Sequence, residues 1–219
     1  MKKFKMILLG IASISLFSGC VSNHKESEKN SKSTTISTTQ SSSIQQSSSQ
    51  EKAFTYADIN DRKSDSQIFS DFVDQFKKDN AKKADSIMIV LYKPDCEDCK
   101  LAEETITDHI QTSKRSAEMI AHVENFKYHV VAVDITKEVP EYIQNIYGIA
   151  SEDGNYYTPT VVVETLKKAS DGNLYWDMFD KKTGTSEEGL INVMDYYIRP
   201  DYLDFLNEPA NNDSRYLLR

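Results

Sequence analysis

An apolar run, Ile87-Met88-Ile89-Val90-Leu91-Tyr92, leads almost directly into Cys96-Glu97-Asp98-Cys99, and an amphipathic stretch follows. No other part of the chain limits its fold as strongly. The run is short and nearly continuous, which suits a strand buried on both faces, as in a central parallel strand. Beyond the cysteines, Leu101, Ile106 and Ile110 are spaced for one helical face. A strand ending in Cys-x-x-Cys at the start of a helix is the signature of a thiol–disulfide site. Two intervening residues let the first helical turn bring both sulfurs within disulfide reach. The helix N-terminus stabilises a thiolate there by about 0.3–1 kcal/mol, or ~2 kcal/mol when partly buried.

The flanking elements follow from periodicity. Phe54-Thr55-Tyr56 reads as a short first strand. Ser64 with Gln67 forms a capping-box pattern, and Ile68, Phe69, Phe72, Val73 and Phe76 recur at helical spacing, so 65–78 is an amphipathic helix with core-facing aromatics. The Cys-x-x-Cys helix is expected over 96–112, with a second helical piece at 116–124 carrying Met119, Ile120 and Val123. Residues 128–134 read as a strand, and a short helix follows at 140–147 with Pro140 in its first turn. Thr158-Pro159-Thr160 enters a strand at Val161-Val162-Val163, and another spans 174–179 before a turn at Lys181–Gly184. Two strands joined by little more than a turn are antiparallel neighbours. Thr185 with Glu188 gives a second capping box and a helix to Tyr197. The tail after Pro200 is weakly patterned. Tyr202, Leu203 and Phe205 are its candidates for docking, but the sequence does not place it.

The N-terminal part is of another kind. Lys2, Lys3 and Lys5 precede an apolar stretch from Met6 to Phe17, which is too short to cross a hydrocarbon core of about 30 Å as a helix. Phe17-Ser18-Gly19-Cys20 follows and resembles the lipobox of bacterial lipoproteins, with Phe17 where leucine is commoner. That resemblance implies a signal peptide at 1–19, lipidation of Cys20 and an anchor on the outer face of a cytoplasmic membrane. Residues 20–52 are rich in Ser, Thr and Gln and nearly devoid of apolar side chains, so a disordered tether is expected, with a reach of about 30 Å. The formal charge of −8, more negative still without the three leading lysines, makes nucleic acid an unsuitable partner.

The order strand, helix, strand, Cys-x-x-Cys helix, strand, helix, Pro-strand, strand, helix resembles the thioredoxin-like superfamily over 54–197, in the form of a lipoprotein of Gram-positive bacteria. The resemblance rests on Tyr92-Lys93-Pro94-Asp95-Cys96-Glu97-Asp98-Cys99-Lys100, on Tyr147-Gly148-Ile149, and on Thr158-Pro159-Thr160 opening a later strand. It implies an α/β three-layer sandwich at 53–199, with a mixed central sheet of four to five strands flanked by helices. It further implies that Cys96 is the nucleophile and Cys99 the resolving thiol, and that Pro159 is cis and shapes a substrate groove with Thr158. Tyr92, Pro94, Asp95, Glu97, Asp98 and Lys100 surround the pair. The redox-active disulfide then serves in place of a cofactor. Expected partners are exported proteins with thiols or disulfides, a membrane electron-transfer partner and the membrane itself, with the chain a monomer.

The sequence also departs from that family. Asp95 replaces an aromatic, Glu97-Asp98 replaces Gly-Pro, and Val90 stands where the familiar reductases carry a buried aspartate. The carboxylates disfavour a thiolate, whereas Lys93, Lys100 and the helix terminus favour one. The expected balance is a weakly stabilised thiolate, hence a reducing or isomerising protein rather than a strong oxidant. His109 is expected on the surface. The leading reading is thus a thiol–disulfide oxidoreductase. Because disulfides persist outside the cytoplasm, the alternative is that Cys96–Cys99 is a structural staple in a non-catalytic binding lipoprotein, for example a bacteriocin-associated accessory protein. A structural zinc site needs four ligands, and His24, His109, His122 and His129 are not spaced to complete one with a single Cys-x-x-Cys. With seven glycines there is no phosphate-cradling loop and no Gly-x-Ser-x-Gly elbow.

Overall fold

The computed structural model describes residues 52–79, 84–144, 146, 148–209 and 216–217. The expected signal peptide at 1–19, Cys20, the expected tether up to residue 51 and Tyr147 lie outside the described residues. The elements in chain order are α1 (Tyr56–Ile59), α2 (Asp65–Lys78), β1 (Asp85–Tyr92), α3 (Glu97–Ile120), β2 (His129–Asp134), α4 (Glu141–Gln144), β3 (Thr160–Lys168), β4 (Leu174–Thr183), α5 (Glu187–Met194), a 3₁₀ turn (Tyr196–Ile198), α6 (Pro200–Asn207) and β5 (Tyr216–Leu217).

The five strands form one mixed sheet in the order β2-β1-β3-β4-β5. β1 and β2 are parallel, and β3, β4 and β5 add antiparallel pairings. Both faces are covered, because successive strand side chains point to opposite sides. Met88, Val90, Ala132, Val161 and Val163 face the layer that contains α1, α3, α5 and α6. Ile87, Ile89, Leu91, Val131, Val133, Val162 and Leu166 face α2 and α4. The result is the thioredoxin-like three-layer α/β sandwich.

Several elements differ from the periodicity reading. Thr55 does not continue a strand. It caps α1, with the Asp58 carboxylate accepting from its N–H at 3.0 Å and its hydroxyl at 2.6 Å. At α2 the Ser64 hydroxyl accepts from Gln67 N–H at 3.2 Å. The Gln67 side chain donates onward to Asp71, so half of the capping box is present. α3 is one helix of 24 residues rather than two pieces. Its buried stripe runs through Ala102, Ile106, Ile110, Ser113 and Ala117, and a serine within the stripe disguises its continuity. Leu101, placed on one helical face with Ile106 and Ile110, is exposed, as are Met119 and Ile120 of the expected second piece.

β3 outruns its expected end because Glu164, Thr165 and Lys167 are buried within it, and β4 runs on to Thr183 because Asp180–Thr183 keep pairing with Thr160–Val163. At α5 the cap is Ser186, whose hydroxyl accepts from Gly189 N–H at 3.4 Å, and the helix stops at Met194. The segment after Arg199 docks as α6, with Pro200 in its first turn and the Tyr202 hydroxyl 2.8 Å from Ser86 Oγ in the interior.

Candidate active site

The parallel pair fixes where the chemistry lies. β1, flanked by β2 and β3, delivers the chain to Tyr92 at one end of the strands, and Lys93-Pro94-Asp95 turns it into α3. Cys96 is the N-cap of that helix, with extended backbone (φ −82°, ψ 124°). Its sulfur accepts from the Cys99 N–H at 3.2 Å, one of the helix's first amide donors, which lack intrahelical acceptors. In this way the sulfur takes the place usually held by a Ser or Asp oxygen. Cys96 is half-buried and Cys99 is buried, and both thiols are free. The Cys99 sulfur lies 3.5 Å from the Lys93 N–H.

β3 begins against the same sulfur. The Thr158 hydroxyl donates to Cys96 Sγ at 3.7 Å, and the Thr158 carbonyl oxygen is also 3.7 Å from it. The Thr158–Pro159 peptide is cis. Pro159 carbonyl accepts from Gly184 N–H at 2.9 Å, and Thr160 bonds both Tyr157 carbonyl and Thr183 hydroxyl. The start of β3 is therefore pinned by the end of β4.

These contacts tune the two thiols in opposite directions. Burial pushes Cys96 up, but hydrogen bonds from the Cys99 thiol, the Cys99 N–H and Thr158 outweigh it, and its pKa falls below the ordinary cysteine value. Asp98 opposes the thiolate, as the carboxylates were expected to do, but the hydrogen bonds prevail. Cys99 is raised, first by burial and then by its hydrogen bond to Cys96.

The remaining sequence candidates divide cleanly. Pro94, Asp95, Glu97, Asp98 and Lys100 are exposed around the sulfur, and Tyr92 is half-buried beside it. Val90 is wholly buried in the same apolar cluster as Cys99. No carboxylate occupies that position. Sequence reading missed Tyr56. Its hydroxyl donates to the Cys99 carbonyl at 2.9 Å, its ring stacks on Tyr92 at 4.8 Å, and its N–H donates to Glu103. The signal was present as Thr55-x-x-Asp58, a helix-start pattern that the aromatic residues obscured. Glu103 was also legible in principle, four residues after Cys99 and so on the same side of the helix. His109 is not a surface residue. It is half-buried, with Nε2 2.8 Å from Asp195 Oδ1, and it ties α3 to the end of α5.

Among the described residues no cluster of three His, Cys, Asp or Glu side chains forms a metal site. No described helix is long and apolar enough to cross a membrane. A concavity of about 390 Å³ between α2 and β2, lined by Asn60, Phe72 and His129, lies where β1 and β2 begin, at the opposite end of the strands from the thiols. A scan against protein-family models finds no match, and no curated protein matches significantly.

Proposed function

We propose that this chain is a thioredoxin-like thiol–disulfide oxidoreductase, tethered through Cys20 outside the cytoplasmic membrane and acting on disulfides of exported proteins. One observation carries the reading. The half-exposed Cys96 sulfur caps α3 and accepts from the Cys99 N–H and the Thr158 hydroxyl, contacts that lower its pKa, whereas Cys99 is buried and its pKa is raised. A structural staple needs no such difference between its two sulfurs.

The chemistry follows from that asymmetry. Cys96 thiolate attacks one sulfur of a substrate disulfide, the S–S bond breaks, and the departing thiolate takes up a proton. Cys99 then loses its proton and attacks Cys96 Sγ. This releases the second substrate thiol and leaves the Cys96–Cys99 disulfide. Two electrons have passed to the substrate, and a protein dithiol acting as electron donor at the membrane restores the reduced pair. The lean towards reduction or isomerisation rests on Asp98, which works against the thiolate. The hydrogen bonds on Cys96 work in the opposite sense, so the reduction potential decides the direction. A value near about −270 mV marks a reductase and one near about −120 mV an oxidant.

Insulin reduction tests the activity itself. The wild-type protein should catalyse it and Cys96→Ser should not. A wild-type protein with no activity would return the cysteine pair to the role of a staple in a binding lipoprotein. The tether is tested separately, since Cys20→Ala should release the protein from the membrane fraction.

A further inference from the structure

The rim of the dithiol carries chemistry that disulfide exchange does not require. Leu101 is 68 % exposed and Tyr157 is 57 % exposed. Neither contributes to the core, and the neighbouring Ala102 takes the buried place on α3. Tyr157 adjoins Thr158, which lies against Cys96 Sγ, so it stands on the β3 side of the sulfur. Leu101 stands on the α3 side, little more than one helical turn from Cys96. Two large apolar side chains thus stand in water on the two segments that carry and abut the reactive sulfur, the start of α3 and the entry to β3, and such exposure suits contact with an apolar partner side chain.

The charge around those two segments is negative. Asp95, Glu97 and Asp98 are exposed there, answered by Lys93 and Lys100. Glu97 and Asp98 lie four and three residues before Leu101, which makes them its neighbours on the helix surface. On the other side of the site, burial first and then the charges of Asp134, Glu103 and Asp65 disfavour ionisation of the Tyr92 hydroxyl, with Asp134 also paired to Lys137 at 3.5 Å.

Resting on the reading of Cys96–Cys99 as an exchange site, we propose that its substrate is a cationic polypeptide segment, with an apolar side chain and lysine or arginine flanking the disulfide. The apolar side chain is buried against Leu101 and Tyr157. The cation steers the encounter and sits among the rim carboxylates. It also offsets the repulsion of Asp98 on the Cys96 thiolate, so the attacking group is better formed in the encounter complex than in the free protein. An acidic segment meets like charge at each of these steps.

The test uses two synthetic peptides, each with one internal disulfide and a leucine beside a cysteine, differing only in flanking lysines or glutamates. Hydroxyethyl disulfide is the neutral reference, and the reduced wild-type protein is the reductant. The lysine peptide should react at least about tenfold faster in kcat/KM at low salt. That gap should close as salt rises from about 0.02 to 0.5 M. With rates normalised to hydroxyethyl disulfide, Glu97→Lys with Asp98→Lys should reverse the preference. Leu101→Ser with Tyr157→Ser should raise KM for the lysine peptide about fivefold. Exchange with hydroxyethyl disulfide but equal rates for the two peptides, or faster reaction of the glutamate peptide, overturns the substrate class and leaves the exchange reading standing. No exchange with any of the three removes the exchange reading itself.

Discussion

Thr158 is the residue on which the asymmetry of the two thiols turns most testably. Its hydroxyl is the one side-chain donor to Cys96 from outside α3 among the described contacts. Thr158→Val keeps the shape and removes the donor. Loss of a hydrogen bond of about 1 kcal/mol should move the Cys96 titration up by roughly half a unit to one unit. The pH dependence of iodoacetamide alkylation reads this directly. In the wild-type protein Cys96 should react with a midpoint below the ordinary cysteine value and Cys99 with one above it, so alkylation between the two modifies Cys96 alone. An unchanged midpoint in Thr158→Val would assign the depression to the Cys99 N–H and thiol. At this scale the sequence was informative wherever chemistry is written in neighbouring residues, as in Cys96-x-x-Cys99 and Thr158-Pro159. The helix start at Thr55 was legible, but the place of Tyr56 on the Cys99 carbonyl was not, because that contact joins residues 43 apart. Leu101 was misread because a hydrophobic residue one position off a buried stripe looks the same as one within it.

At the scale of elements, existence and order were legible, while extents were hidden by buried polar residues. β3 is the clearest case. Val161-Val162-Val163 announces it, but Glu164, Thr165 and Lys167 then continue it without exposure. Lys167 is satisfied by α6, the element the sequence could not place. Its ammonium lies 3.2 Å from Asp177 Oδ2, donates to the Phe205 carbonyl at 2.8 Å and sits 3.6 Å from the centre of the Phe205 ring. The two charged side chains are only 5 % and 3 % exposed, so removing one strands the other in a medium that cannot hydrate it. Lys167→Met should cost about 3–5 kcal/mol in urea denaturation, and Lys167→Met with Asp177→Leu should recover most of it. A small effect of the single variant would mean that α6 is held by its aromatic contacts instead. Those contacts are substantial, with Phe179 packed against both Tyr202 and Phe205. Tyr202→Phe should remove only the hydrogen bond to Ser86, about 1 kcal/mol.

For the whole molecule, the sheet separates two apolar layers, and the dithiol belongs to the layer of α1, α3, α5 and α6. The opposite layer contains one group at odds with its surroundings. Glu164 pairs in register with Ile87 and Met178. It is 1 % exposed, and its Oε1 has no hydrogen-bond partner among the described residues. Burial first, and then Asp177, raise its pKa well above the ordinary carboxylate value, with Lys181 pulling weakly the other way. The sign of the consequence is fixed by proton binding. Above about pH 4.3 the unfolded chain ionises this residue while the folded chain keeps the proton, so the unfolded state binds fewer protons and stability falls as pH rises. The slope contributed by this one group is at most about 1.4 kcal/mol per pH unit, and it ends once the folded-state carboxyl ionises too. Set against a typical net stability of about 5–15 kcal/mol, that is a large effect for a single side chain. Glu164→Gln keeps the volume and cannot ionise. Its stability in urea should match the wild type near about pH 4 and exceed it increasingly towards about pH 7. A gap that does not widen with pH would mean that the carboxyl is ionised in the folded protein, and that Lys181 compensates it more fully than its place beside the strand implies.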